Sequence, residues 1–259
     1  MKLAYRTFGQ GQPLIILHGL FGQSDNWNTL AKQFSEKGFQ VFTLDLRNHG
    51  LSAHADEWDY EYMAADVKEF IEDHQLTSPI LLGHSMGGKT AMYFQYLYGG
   101  IAQKVIVVDI AARSYEPHHQ TVLEALNAVD FTQVHSRKEA ETILNNYIED
   151  FGTKQFLLKN IYWKDNVENA LDWRFNLKVI TNKYDNIGVA VPYFEDETPT
   201  LVIKGERSHY INDLDLEDYK KRFSNLKNIE IKGAAHWVHA EQPAAFFEAV
   251  CAFITAGVL

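Results

Sequence analysis

The chain has 259 residues, 46% of them hydrophobic and 22% charged, the balance of a globular protein long enough to bury a sizeable core. Its 34 acidic against 24 basic side chains leave a formal charge of -10, which argues against nucleic acid or an anionic membrane as a main partner. A single cysteine, Cys251, excludes an internal disulfide and a cysteine-based metal cluster.

Met1 and Lys2 run directly into a strand-like pattern, and the first apolar run, Leu14 to Leu17, is too short for the core of a secretion signal. No apolar stretch approaches membrane-spanning length, so the expected compartment is the cytoplasm, with no stable membrane insertion. Pro13–Gly19 reads as the first buried strand. Ser24 or Asp25 can cap a helix through about Lys37, with Gly38 at its end. A second strand, Phe39–Leu46, precedes a helix over Glu61–Leu76 that sets Met63, Val67, Phe70 and Ile71 on one face. Pro79–Ser85 is the third strand and leads into a helix that stops near Gly99–Gly100; Lys104–Ile110 is the fourth strand. Strand and helix in strict alternation predict an α/β fold, a mostly parallel sheet with helices on both faces.

From about Ala112 to Glu197 the strand signal fades into amphipathic helical patterns: "TVLEALNAV", "RKEAETILNNYI" and "TKQFLLKNIYW". Strands resume at Thr198–Gly205 and Asn228–Gly233, and a final helix runs from Pro243 to about Thr255. The pattern predicts a core of residues 1–111 and 198–259, with residues 112–197 inserted as a helical cap. Of the cap aromatics Phe131, Phe156, Trp163, Trp173 and Phe175, most are expected in the cap's own packing and one or two against the pocket.

Gly83-His84-Ser85-Met86-Gly87 matches G-x-S-x-G, in the context the motif requires: an apolar strand before it and a helix after it. A sharp turn there holds the serine exposed at a helix N-terminus, where free N–H groups favour developing negative charge. A serine hydroxyl needs a base. His236, at the end of the last strand in "IKGAAHWVHAEQP", is placed to serve; His239 is the rival and reads as structural. His84 reads as packing beside the turn, and His118 and His119 as solvated. Two N–H groups are expected to hold an oxyanion: that of Met86 after the nucleophile, and that of Leu20 in the loop "LHGLFGQSDNW" after His18 and Gly19. Phe21 is placed as a wall of the acyl pocket, and Trp237 beside the base. His18 as a metal ligand lacks spaced partners, so neither metal nor organic cofactor is called for.

In order and over nearly the whole length, "HGLFGQSDNW", "DLRNHGLS", "GHSMGG" and "GAAHWVHAEQP" resemble the α/β-hydrolase family. Within it, the "HGLFG" loop, "DWRFNL" and "AHWVHAEQP" are most similar to YbfF-type bacterial esterases and their eukaryotic abhydrolase-domain relatives. The resemblance implies hydrolysis of a small-molecule acyl ester with a short chain, or of an acyl thioester such as an acyl-CoA. The usual acid position, three residues after the glycine of the penultimate strand, is Ser208 here. Asp109, at the end of the strand after the nucleophile helix, is then the expected acid, with Glu206 and Asp213 as substitutes and Ser208 supporting it. Asp45 and Arg47 are expected to tie their loop to the serine turn, while Arg113 and Arg174 are candidates for an anionic substrate group. A lyase of the menaquinone pathway, an acyltransferase and a non-enzymatic receptor are the alternatives. The first needs several cationic groups at its pocket, and the last usually lacks an intact serine–histidine pair.

Overall fold

Adjacent residues in the inner strands point to opposite faces of a sheet, and here both faces are apolar. The computed structural model describes residues 1–165 and 170–256. The first part of the chain forms β1 (Tyr5–Phe8), β2 (Gln12–Leu17), α1 (Asn28–Ser35), β3 (Phe39–Leu44), α2 (Tyr60–Asp73), β4 (Ile80–His84), α3 (Met86–Tyr98) and β5 (Lys104–Val108). Between β5 and the next strand of the same sheet lie α4 (Gln120–Asn127), α5 (Arg137–Leu144), α6 (Phe151–Leu158), β6 (Ile161–Trp163), β7 (Leu171–Trp173) and α7 (Leu177–Asn182). The chain then completes the sheet with β8 (Thr200–Gly205), α8 (Asp213–Arg222), β9 (Leu226–Ile231), α9 (Val238–Glu241) and α10 (Pro243–Thr255).

The seven-stranded sheet has the order β1-β3-β2-β4-β5-β8-β9. Only β1 is antiparallel; the remaining neighbours pair in parallel. Leu14, Ile16, Ile80, Leu82, Ile106, Val108, Leu201 and Ile203 pack with α1 and α10 through Leu30, Phe34, Phe246 and Val250. Their strand neighbours Ile15, Leu17, Leu81, Val105, Val107 and Val202 pack with α2, α3 and α8 through Met63, Val67, Met92, Phe94 and Tyr219. Parallel order leaves every inner strand ending at the same edge, and the candidate site is built there.

Several elements differ from the sequence expectation. β1 carries three exposed residues in four, so it lacks the apolar run that marks the inner strands. The segment "TKQFLLKNIYW" is helical only to Leu158 and continues as β6, which pairs antiparallel with β7. Three-residue strands are too short to show a period. α8, between β8 and β9, is a further helix beyond the sequence expectation; a capping box of Asn212 and Asp215 starts it. A 3₁₀ turn over Ser24–Trp27, entered from Gln23, precedes α1. The two arms of the insertion pair with each other: Val191 N–H donates to Ala112 C=O (2.7 Å) and Tyr115 N–H to Gly188 C=O (2.8 Å).

Candidate active site

Ser85 sits between β4 and α3 with φ 53° and ψ -118°. A non-glycine residue at positive φ costs on the order of 1–3 kcal/mol and persists only where its surroundings hold it. Two main-chain bonds do so: Ser85 N–H donates to Val108 C=O (2.9 Å), and Ser85 C=O accepts from Lys89 N–H (3.0 Å). The flanking glycines are sterically required. A Cβ on Gly83 would lie 2.1 Å from the Gly87 carbonyl oxygen, and one on Gly87 would lie 2.3 Å from that of Leu17.

Asp109 follows β5, fully buried, also at positive φ (51°), with its N–H on Ile203 C=O (2.8 Å). Its carboxylate accepts from three donors: Gly205 N–H at 3.0 Å, Ser208 Oγ–H at 2.5 Å and His236 Nδ1–H at 2.8 Å. The last bond fixes the His236 tautomer, leaving Nε2 free to accept a proton. Tyr210 lies flat against the His236 ring, with centroids 3.9 Å apart and planes 16° from parallel. From the other side, His84 Nε2–H donates to the His236 carbonyl (2.8 Å). His84 is therefore a brace, held neutral because burial drives its pKa well below the usual range. His239 is also buried, stacked on Trp27 at 4.1 Å, with its pKa pushed down to about 3 by burial. Glu206 accepts from Gly233 N–H on an exposed turn, and Asp213 is the exposed first residue of α8; neither bonds to His236.

The loop after β2 is a turn, closed by Gly22 N–H on Gly19 C=O (2.9 Å), with Phe21 at φ 59°. Two histidines support it. His18 donates from Nδ1 to Gly19 C=O (2.8 Å) and accepts Leu46 N–H at Nε2 (3.0 Å). His49, which the sequence reading passed over, accepts Phe21 N–H at Nε2 (3.3 Å) and donates from Nδ1 to Arg47 C=O (3.0 Å). Burial lowers His18 to about 4 and His49 to about 3, so both are neutral, as acceptance at one ring nitrogen requires. Asn160, from the insertion, donates to Phe21 C=O (2.9 Å). The N–H groups of Leu20 and Met86 bond to no other group among the described residues.

A half-open cleft brings Ser85, Leu20 and Met86 together with Ile110, Ile187 and Gly188. Its remaining wall includes Tyr60, Tyr115, Tyr184 and Tyr210, isolated tyrosines that no sequence spacing singled out. His118 and His119 also line it, and only His119 departs from the expectation of a solvated side chain. His118 is exposed but accepts from Tyr210 OH (2.7 Å), and half-buried His119 meets Tyr184 OH (2.5 Å). Phe21 does not line the cleft; it packs on Phe175 at 5.1 Å, next to the stacked Trp173. None of the five aromatics named in the insertion faces the cleft: Phe131 packs on Trp173, Phe156 on Trp237, and Trp163 is 57% exposed. Trp237 thus stands beside His236 without lining this cleft.

Asp45 accepts from Ser24 and Leu51 N–H, and Arg47 forms a two-point pair with Asp66 on α2 (2.6 and 2.8 Å). They brace their loop against the 3₁₀ turn and α2, not against the serine turn. Arg113 is paired with Asp215 (3.0 Å), and Arg174 lies over the Tyr162 ring at 4.2 Å, so both are engaged within the protein. Among the described residues no group of side chains is placed to hold a metal ion, and no helix is long and apolar enough to cross a membrane.

A family model described as the alpha/beta hydrolase fold matches residues 12–140. The chain is 40% identical to a putative esterase/lipase of Haemophilus influenzae, covering 93% of this chain and 82% of that protein. It is 33% identical to esterase YbfF of Escherichia coli, over 92% and 91%. Among solved structures, a marine microorganism esterase superposes with a TM-score of 0.93 at 40% identity, covering 97% of this chain and 99% of that one. With the parallel sheet, the serine turn and these relatives in agreement, the chain belongs to the α/β-hydrolase family.

Proposed function

We propose that the protein is a serine carboxylesterase acting on short-chain acyl esters, and on acyl thioesters of similar size, with residues 112–197 as a cap over the site. The observation that carries this reading is the buried Asp109 carboxylate bonded to His236 Nδ1, beside a serine held in a strained strand-to-helix turn. The esterase names of its relatives support the same reaction class.

In this mechanism Ser85 Oγ attacks the ester carbonyl as its proton passes to His236 Nε2. Asp109 stabilises the imidazolium that forms, and its bonds to Gly205 and Ser208 keep the carboxylate aimed at Nδ1. The unengaged N–H groups of Leu20 and Met86 receive the negative charge that develops on the carbonyl oxygen. Collapse of the tetrahedral intermediate expels the alkoxide or thiolate, which takes the proton from His236. Water then attacks the acyl-serine by the same relay in reverse and releases the acid. Arg113 and Arg174 are engaged elsewhere, which disfavours a lyase that needs cationic side chains at its pocket.

Fluorophosphonate labelling tests the reading. Wild type is expected to label once and to hydrolyse p-nitrophenyl acetate. Ser85→Ala is expected to lose both, with kcat down on the order of 10⁴–10⁶. Labelling or hydrolysis that persists in a folded Ser85→Ala protein overturns it.

A further inference from the structure

A helix end and the irregular chain after it usually leave carbonyls to water, yet Ile187, which ends a 3₁₀ turn over Tyr184–Ile187, and residues 188–190 have each of theirs taken. Tyr60 OH donates to Ile187 C=O (2.9 Å) and Tyr115 N–H to Gly188 C=O (2.8 Å). Lys89 Nζ donates to Val189 C=O (2.5 Å), and Tyr93 OH donates to Ala190 C=O (3.0 Å). Lys89 and Tyr93 both come from α3, the helix that follows Ser85, and Tyr60 opens α2. Ile187 and Gly188 are themselves wall residues of the cleft.

Lys89 is the unusual member of this set. It lies one helical turn past Ser85 and is completely buried. Its ammonium faces the Tyr115 and Tyr60 rings at 4.9 and 5.7 Å, bonds to no carboxylate, and has Arg113 as a like-charged neighbour. Burial lowers its pKa to about 7. Burying such a group is costly, and a methionine would fill the space without that cost. What the methionine lacks is a donor for Val189.

The cleft's hydroxyls are engaged in the same inward fashion. Tyr115 OH accepts from Ala111 N–H and donates to Tyr210 C=O; Tyr184 and Tyr210 meet His119 and His118. Apart from Ser85, Glu116 and the two histidines, the cleft is therefore lined by rings and aliphatic side chains, and the segment that brings Ile187 and Gly188 to its wall is tied down at every carbonyl from 187 to 190.

We propose that Lys89, with Tyr60 and Tyr93, is a specificity-determining positioning residue that pins residues 187–190, and through them the Ile187–Gly188 wall of the acyl cleft, and so limits the acyl chain to a short one. This rests on the esterase reading of Ser85. Lys89 touches no reacting atom in this scheme; it acts through the wall.

The experiment compares kcat/KM on p-nitrophenyl acetate, butyrate, hexanoate and octanoate for wild type, Lys89→Met, Tyr93→Phe and Tyr60→Phe/Tyr93→Phe. The ratio of octanoate to acetate is expected to rise at least tenfold in Lys89→Met and severalfold in the double phenylalanine variant, through a lower KM for the longer esters. A uniform loss on all four esters is what a merely structural lysine gives, and it overturns the proposal, as does an unchanged ratio. If Lys89→Met does not fold, the phenylalanine variants, which keep the rings, decide alone. A wild type that hydrolyses none of the four and takes no fluorophosphonate overturns the esterase reading and the wall's role with it. A wild type that does both while the variants keep its ratio overturns the role of the wall only.

Discussion

The strand ends beneath the cleft and the insertion beside it are held by different kinds of bond. Ser85 and Asp109 are positioned by their own main-chain N–H groups, on Val108 and Ile203, and by positive φ angles that those bonds enforce. The insertion is attached to the core largely by side chains reaching main-chain carbonyls: Asn160 to Phe21, Asn186 to Trp58, and Tyr60, Lys89 and Tyr93 to residues 187–190. Under the proposed mechanism, a substitution at the strand ends is expected to leave the frame in place and remove chemistry, and one in the insertion's attachments to leave the chemistry in place and move a wall.

The largest effect that separates the two regions is expected at Asp109. Asp109→Asn keeps the shape and the Gly205 contact but favours the wrong His236 tautomer, so kcat on a short ester should fall about 10⁴-fold with little change in KM. A variant within tenfold of wild type breaks the assignment of the acid, and a collapse of Glu206→Gln instead moves it. Next comes Ser208→Ala, which removes one of three donors to a carboxylate that keeps the other two. Steady-state kinetics should show about a tenfold loss of kcat, the worth of one hydrogen bond, roughly 1 kcal/mol.

Asn160→Leu probes the opposite region. It leaves the buried Phe21 carbonyl without its donor and is expected to cost about 1–3 kcal/mol in chemical denaturation. Its effect on kcat should stay below that of Ser208→Ala if the turn at Leu20 is held mainly by His18 and His49.

Turnover should be least affected by His239→Gln, whose effect is on acid stability. Burial lowers His18 to about 4 and His49, His119 and His239 to about 3, against about 6.5 in an unfolded chain. Below pH 6.5 the unfolded chain binds protons that the folded one refuses. Their contribution to stability is thus fully present above pH 6.5 and is lost as pH falls toward 3. Melting temperatures measured from pH 7 to 4 should fall steeply for wild type and less so for His239→Gln. Parallel curves would remove His239 from this account.

The strand ends were also the more readable region. "PILLGHSMGG" and "KVIVVDIAA" place Ser85 and Asp109 at the ends of apolar runs, because a strand buried on both faces must be written in Ile, Leu and Val. A serine at position 208, where a carboxylate is usual, points to Asp109 as the acid position, and in the fold Ser208 Oγ and His236 Nδ1 both donate to the same oxygen of the Asp109 carboxylate. The insertion gave no such handle. Its helices are short, its two strands have three residues each, and its apolar residues pack on one another as readily as on the core. Hence the pattern offers no way to tell which one or two of its aromatics would reach the pocket; none does, and the cleft wall includes Tyr60, Tyr115, Tyr184 and Tyr210 instead.

The order of residues along the chain was enough to establish the parallel sheet, the glycine-flanked serine turn and the late histidine, since each depends on local pattern: period, turn chemistry and steric room at Gly83 and Gly87. Which side chains line the cleft, which histidines are braces, and why a lysine lies buried beside Ser85 required the folded chain. Those properties depend on contacts between residues a hundred positions apart, such as Lys89 with Val189 and Tyr60 with Ile187, and a one-dimensional pattern carries no record of distance between segments that only packing brings together.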